Sequence, residues 1–196
     1  MKSMHRRLIV ALALAGLGVG VAATDSLAAT AKPPAKKPAA AANATPAAPS
    51  AAPTNIGTFS SWTAWTATDS SGLICYISAE PSASTPKGLN RDPIHFLVVD
   101  RKGLGTSNEV QTLIGYPIKK GSKPSAAIDG KTYPMIADGS GAWLASAKDE
   151  DGFVTNLKHG HSLLVKGTSQ RGTDTTDTYA LTGVTAALEA AGKACH

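Results

Sequence analysis

His159 and His161 flank Gly160 and are the best start this sequence offers for a metal site, with Cys195 and His196 as further ligands. A zinc site needs three or four converging nitrogen, sulfur or oxygen donors, and the chemistry it would run here is metal-assisted hydrolysis. Two histidines around a glycine are weak evidence for that, and the rival reading is a pair of solvated loop histidines. Asp149, Glu150 and Asp151 are an acid–base candidate, but adjacent carboxylates before an apolar-periodic run are usually capping groups. His95 stands inside an apolar run and is expected as a satisfied core residue. There is no Gly-x-Ser-x-Gly elbow, no HExxH, no Walker loop and no Cys-x-x-Cys. No catalytic residue, metal ligand or cofactor is therefore assigned.

Binding chemistry has two candidates. Trp62, Trp65 and Trp143 are a possible stacking platform for a sugar or peptide, although at least two of the three are expected in the core. Arg171, Thr173, Asp174 and Asp177 precede Tyr179 in a segment dense in hydroxyls. This block reads first as structure, an Arg–Asp pair with hydroxyls satisfying a tight loop and strand. Its functional alternative is a polar recognition loop whose Arg fork takes a carboxylate or phosphate.

The elements that must position these groups are mostly short strands between turn residues. They are expected at Ser61–Thr68, Leu73–Ser78, Ile94–Asp100, Glu109–Gly115, Ser125–Ile128, Thr132–Ala137, Ala142–Ser146, Ser162–Thr168 and Thr176–Thr182. The run from Ile94 to Val99 is apolar on both faces and belongs centrally. Asp129-Gly130 predicts a type I′ hairpin, because both residues tolerate positive φ. Acids at 149–151, Lys158 and His159 before Gly160, and Phe153, Val154 and Leu157 between them predict a short helix. A second helix is expected over Thr185–Ala191, stopped by Gly192. The fold class is mainly β, a single sandwich- or barrel-like antiparallel domain with two short helices.

Cys75 and Cys195 are the only cysteines. In an exported protein an even count of two allows a single intramolecular bridge, which would tie the C-terminal helix to the sheet. Two free buried thiols are the rival.

Export is what residues 1–23 predict. Lys2, Arg6 and Arg7 precede the uncharged run Leu8–Ala23, and small residues place cleavage after Ala23 or Ala28. The run is shorter than the ~20 residues of a spanning helix, so no transmembrane segment is expected after cleavage. Residues 24–55, rich in Ala and Pro with Lys32, Lys36 and Lys37, cannot bury enough apolar surface to fold and read as a disordered linker. The chain of 196 residues carries a net charge of +5, yet residues 56–196 hold 13 basic and 13 acidic groups. The excess lies outside the folding part, which argues against a nucleic-acid-binding domain and assigns attraction to anionic envelope material to the spacer.

A family resemblance enters at Cys75-Tyr76-Ile77, Asn90-Arg91-Asp92, Phe96-Leu97-Val98, Asn108-Glu109-Val110 and Ile114-Gly115-Tyr116-Pro117. It continues through Ile128-Asp129-Gly130 and Ala142-Trp143, and closes with Arg171-Gly172-Thr173 to Tyr179, Leu181-x-Gly183 and Cys195. In this order the chain resembles the invasion-associated locus B family of alphaproteobacterial exported proteins over about residues 60–195. The resemblance implies a mainly β, exported, non-enzymatic protein of the periplasm, cell envelope or surface, with an envelope or host-surface component as partner. The family carries no agreed ligand or catalytic residues, so none transfers, and the long spacer departs from its common pattern. The alternatives are the metal-assisted hydrolase on His159 and His161, and a structural envelope spacer protein.

Overall fold

The computed structural model describes residues 52–195; the expected export signal, the expected spacer up to residue 51, and His196 lie outside the described residues. Eleven strands form one antiparallel sheet among them: β1 (Thr54–Phe59), β2 (Trp62–Asp69), β3 (Gly72–Ala79), β4 (Ala83–Thr85), β5 (His95–Arg101), β6 (Thr106–Leu113), β7 (Ser125–Ile128), β8 (Lys131–Asp138), β9 (Gly141–Leu144), β10 (Ser162–Thr168) and β11 (Asp174–Ala180). Their order is β1-β2-β3-β5-β6-β9-β8-β7-β10-β11-β4, with β1 and β4 left as edges, so the sheet is not closed into a barrel. The nine expected strands are present and β5 is internal.

β8 is where the sheet turns over. Lys131–Pro134 pair with β7, and Met135–Asp138 pair with β9. Pro134 has no N–H to give a ladder and sits at the handover, where the next donor, the Met135 N–H, goes instead to the Pro124 carbonyl. The inner faces of the two halves then meet. The Trp62 indole donates to the Ala180 carbonyl at 3.0 Å, and Phe96 lies 5.8 Å from Tyr179 between ring centroids. This is a sandwich made from one folded sheet.

The alternation of each strand selects what goes inside. Cys75, Ile77 and Ala79 of β3, Leu163 and Val165 of β10, and Thr175, Asp177 and Tyr179 of β11 are buried. Trp62 is fully buried, whereas Trp65 and Trp143 are only half-buried. Expecting two tryptophans in the core is therefore corrected to one. Trp62 and Trp65 are three residues apart on one strand, an odd separation that puts them on opposite faces. Trp65 stacks on Tyr76 at 6.2 Å on the outer face. His95 is likewise half-buried beside that face and not in the core, because it alternates with the buried Phe96.

Helix α1 (Glu150–His159) buries Phe153, Val154 and Leu157, and Phe153 packs 5.9 Å from Phe96 and 4.8 Å from Tyr133. Asp149 occupies its N-cap position but makes no side-chain cap bond. Asp151 instead accepts from the Asn108 amide at 2.7 Å, which corrects the capping expectation. Gly160 ends α1 in an extended conformation, not a left-handed one. Glycine is needed there because a Cβ would lie 2.6 Å from Ile128 Cγ2.

Helix α2 (Val184–Cys195) runs past Gly192, the expected stop. Its buried face of Val184, Ala187, Ala191 and Cys195 carries one turn further because Cys195 is bonded to Cys75 on β3. The expected disulfide is present, with a sequence separation of 120 between its two cysteines. Among the described residues no helix is long and apolar enough to cross a membrane.

The β7–β8 turn has Asp129 at φ 45° and Gly130 at φ 91°, as the type I′ prediction requires. The Asp129 carboxylate accepts the backbone N–H groups of His161 (3.0 Å) and Ser162 (3.1 Å), which ties the end of α1 and the start of β10 to this turn. Those two backbone bonds hold its pKa below the ordinary aspartate value. A group with a depressed folded pKa stabilises the protein above its unfolded pKa and loses that contribution as pH falls through the folded value. Thermal melts taken from pH 5 down to pH 2 should therefore fall more steeply for the native protein than for Asp129→Asn, with the curves converging at the acid end. Parallel curves would show that this carboxylate does not matter.

Candidate functional site

The site begins with a strand that leaves its chain neighbours. β4 adds to β11 at the far edge of the sheet, pairing Ala83, Ser84 and Thr85 with Thr178, Asp177 and Thr176. The chain must then return to β5, and residues 86–94 cross back over the sandwich. Arg91 fastens this crossing. Its Nη1 and Nη2 donate to the two oxygens of Asp177 at 2.8 and 2.7 Å, and Nε and Nη2 donate to the Ile114 carbonyl. Ser84 Oγ adds a third donor to Asp177 at 2.6 Å. The side chains of Arg91 and Asp177 are 6% and 1% exposed. Taking two charges out of water costs several kcal/mol per ion and is sustained only where the remaining donors and acceptors are satisfied. Here the fork is bidentate and the carboxylate has a further donor, the arrangement that meets this requirement.

The guanidinium also lies 5.0 Å from the centre of the Tyr116 ring. The Tyr116 hydroxyl bonds to Thr175 Oγ1 at 2.6 Å, and burial pushes its phenol pKa up. Behind Tyr116, Gly115 takes φ +78°, and its absent Cβ would stand 2.3 Å from the Asp92 carbonyl oxygen. Only glycine allows the crossing segment to come this close, and the Asp92 N–H closes the contact on the Gly115 carbonyl at 2.9 Å.

The loop from Ser169 to Thr173 completes the site. Its turn is held by Ser169 N–H to Thr173 O and Gly172 N–H to Ser169 O, both 2.8 Å. It is docked by Gln170 N–H to Pro117 O at 2.9 Å. A cleft of about 420 Å³ opens between it and the crossing segment, lined by Asn90, Arg91, Tyr116, Gln170, Arg171 and Thr173. A second hollow of about 760 Å³ lies on the other side of the same segment, beside Ser84, Lys87 and Arg91.

The residues singled out from sequence divide between cleft and core. Arg171 and Thr173 line the cleft. Asp174 lies outside it and accepts from Thr168 Oγ1 at 2.7 Å. Asp177 is the buried partner of Arg91, and Tyr179 is fully buried against Phe96. The Tyr179 hydroxyl sits beside Thr112, whose own hydroxyl donates to the His95 carbonyl, and it makes no well-formed hydrogen bond. Burial and then the Asp177 charge push this phenol well above its ordinary pKa. The Arg–Asp pair expected within the block is formed instead by an arginine 86 residues earlier. Arg171 is left exposed and in no ion pair among the described residues. Arg91 was visible only as part of the Asn90-Arg91-Asp92 segment, with no local pattern to pair it with Asp177.

His159 and His161 do not come together. The His159 Nδ1 donates to the Thr155 carbonyl at 2.8 Å, while His161, 93% exposed, lies 3.3 Å from Asp129. Cys195 is committed to the disulfide. Among the described residues no three His, Cys, Asp or Glu side chains gather as a metal-ligating group.

Fold and site together define a mainly β, disulfide-tied domain that holds an open polar cleft over a buried ion pair. No protein-family model matches the sequence, and no curated protein matches it. Among solved structures, the crystal structure of invasion associated protein B from Bartonella henselae is similar in fold. The two are 13% identical, with 68% of this chain and 92% of that chain covered, at a TM-score of 0.48.

Proposed function

We propose that this is an exported, non-enzymatic cell-envelope or surface interaction protein of the invasion-associated locus B type, held out from the envelope by its Ala/Pro/Lys spacer. One observation carries the reading. Three separate segments of the sequence resemblance, Asn90–Asp92, Ile114–Pro117 and Arg171–Thr173, converge on the walls of one cleft built over the Arg91–Asp177 pair. An open cleft lined by neutral polar groups, the Asp92 carboxylate and the unpaired Arg171 guanidinium is equipped to hold a partner. The Cys75–Cys195 bridge supports export, because such bonds persist in oxidising compartments. The partner is an envelope or host-surface component.

Crosslinking in intact cells that carry the spacer-bearing mature form tests this. An adduct with an envelope or host component is expected, together with an N-terminus beginning at Thr24 or Ala29. Recovery of the protein only as itself across several crosslinkers would overturn the interaction reading, and an intact Met1 terminus would overturn export.

A further inference from the structure

A domain with equal numbers of acids and bases need not have an even surface, and this one does not. The loop 116–124 and the loop 169–173 run side by side. Lys119 N–H donates to the Thr168 carbonyl at 2.9 Å, Ile118 bridges to Ser169, and Gln170 N–H reaches Pro117. The loop therefore carries Lys119, Lys120 and Lys123 along the flank of β10 that leads from Arg171 toward Lys166, which stands opposite Ser125. All five are exposed, and none forms an ion pair among the described residues. The acids nearby are Asp92, exposed on the wall of the same cleft as Arg171, Asp174, bonded to Thr168, and Asp138, across a hollow of about 450 Å³ from Lys120. Five cations against three acids still leave a net basic face on a neutral domain, and such a face focuses anions.

We propose that this face and the adjoining cleft bind an acidic polysaccharide, with the Arg171 guanidinium taking a carboxylate in the cleft and Lys119, Lys120, Lys123 and Lys166 holding neighbouring charges of the same chain. The proposal rests on reading the cleft as the contact site. Two features select this ligand. The cleft is concave, about 420 Å³, which suits an extended chain better than the plane of a bilayer. Apart from Arg91, which is committed to Asp177, and the Asp92 carboxylate on the crossing segment, its other polar side chains are amides and hydroxyls, among them Asn90, Gln170, Ser169 and Thr173, which fit a hydroxyl-rich sugar. A planar fork aligned on a carboxylate adds specificity that lysines, as point charges, do not.

The test is binding of the mature full-length chain to polygalacturonate, with neutral dextran and phosphatidylglycerol vesicles as comparison probes. Arg171→Gln should weaken polygalacturonate binding about tenfold, the loss of one charge-assisted hydrogen bond. The combined change Lys119→Glu, Lys120→Glu and Lys123→Glu should weaken it further and flatten its salt dependence. Reversing Lys148, just before α1, Lys158 of α1 and Lys193 of α2 to Glu removes as much charge elsewhere and should leave binding unchanged. Equal loss in both triple variants would reduce the effect to net charge and overturn the proposal. So would loss only when the spacer lysines 32, 36 and 37 are replaced, binding to vesicles but not to polygalacturonate, or no binding. If crosslinking in cells still captures a partner while polygalacturonate fails, the ligand class falls and the interaction function stands.

Discussion

Asp177→Asn should destabilise the protein by about 3–5 kcal/mol, the cost of leaving one member of a buried ion pair uncompensated. Asparagine keeps the shape and can still accept from Ser84, so the loss isolates the charge. Arg91, with its side chain only 6% exposed, would then hold a positive charge with only a neutral amide oxygen, the Ile114 carbonyl and the Tyr116 ring as partners. Arg91→Lys should behave nearly as badly, because an ammonium cannot reproduce the paired bonds to Asp177 and the bonds to Ile114. The double change Arg91→Met with Asp177→Leu should recover a large part of the loss, since apolar replacements of buried pairs are often neutral. Urea unfolding at neutral pH measures all three. The consequence for the site is local: hydrogen exchange at the Asp92 and Ser82 amides, now bonded to the Gly115 and Thr178 carbonyls, should accelerate as the crossing segment lifts. A loss under about 1 kcal/mol would place the pair with ordinary surface salt bridges and contradict this structural role.

Reduction of the Cys75–Cys195 disulfide is the second large effect. In the chain-entropy view, a bridge closing 120 residues contributes about 4–5 kcal/mol by restricting the unfolded chain. The bridge also holds the last turn of α2, which contains Gly192, a residue that disfavours helix by about 1 kcal/mol relative to alanine. A reductant should lower the unfolding midpoint strongly, and amides near residues 192–195 should exchange first. The double Cys75→Ser, Cys195→Ser variant should show the lowered midpoint without any response to reductant. An unchanged midpoint on confirmed reduction would show that burial of Val184, Ala187 and Ala191 alone secures the helix.

Much of the fold was legible because alternation and turn chemistry are local. β3, β5 and β10 announce themselves by apolar alternation or continuous apolar runs, and Asp129-Gly130 encodes its own turn. The two strands the pattern did not reveal have little of either. β1 carries a register shift between Asn55 and Gly57 and a mostly exposed face, so its residues show no clean period. β4 is three residues, Ala-Ser-Thr, and exists through what it meets: β11 alongside, and Asp177 receiving its Ser84 hydroxyl. The candidate site was half legible for the same reason. Arg171 and Thr173 stood out by composition, but the pairing of Arg91 with Asp177 depends on β4 crossing to the far edge, which no local spacing encodes. The charge sum concealed more than it showed, because adding up a domain discards where its lysines lie. Gly192 misled because a bond at residue 195 extends the helix beyond where propensity would end it.

The most direct measurement is photocrosslinking from single positions in intact cells. A photoreactive side chain placed at Gln170 or Thr173, on the cleft, should capture an envelope or host-surface component, while the same group at Leu104, exposed in the turn between β5 and β6, should capture none. Equal capture from all three positions, or capture from Leu104 alone, would contradict the cleft as the contact site. Absence of any adduct would contradict the protein as an interaction module.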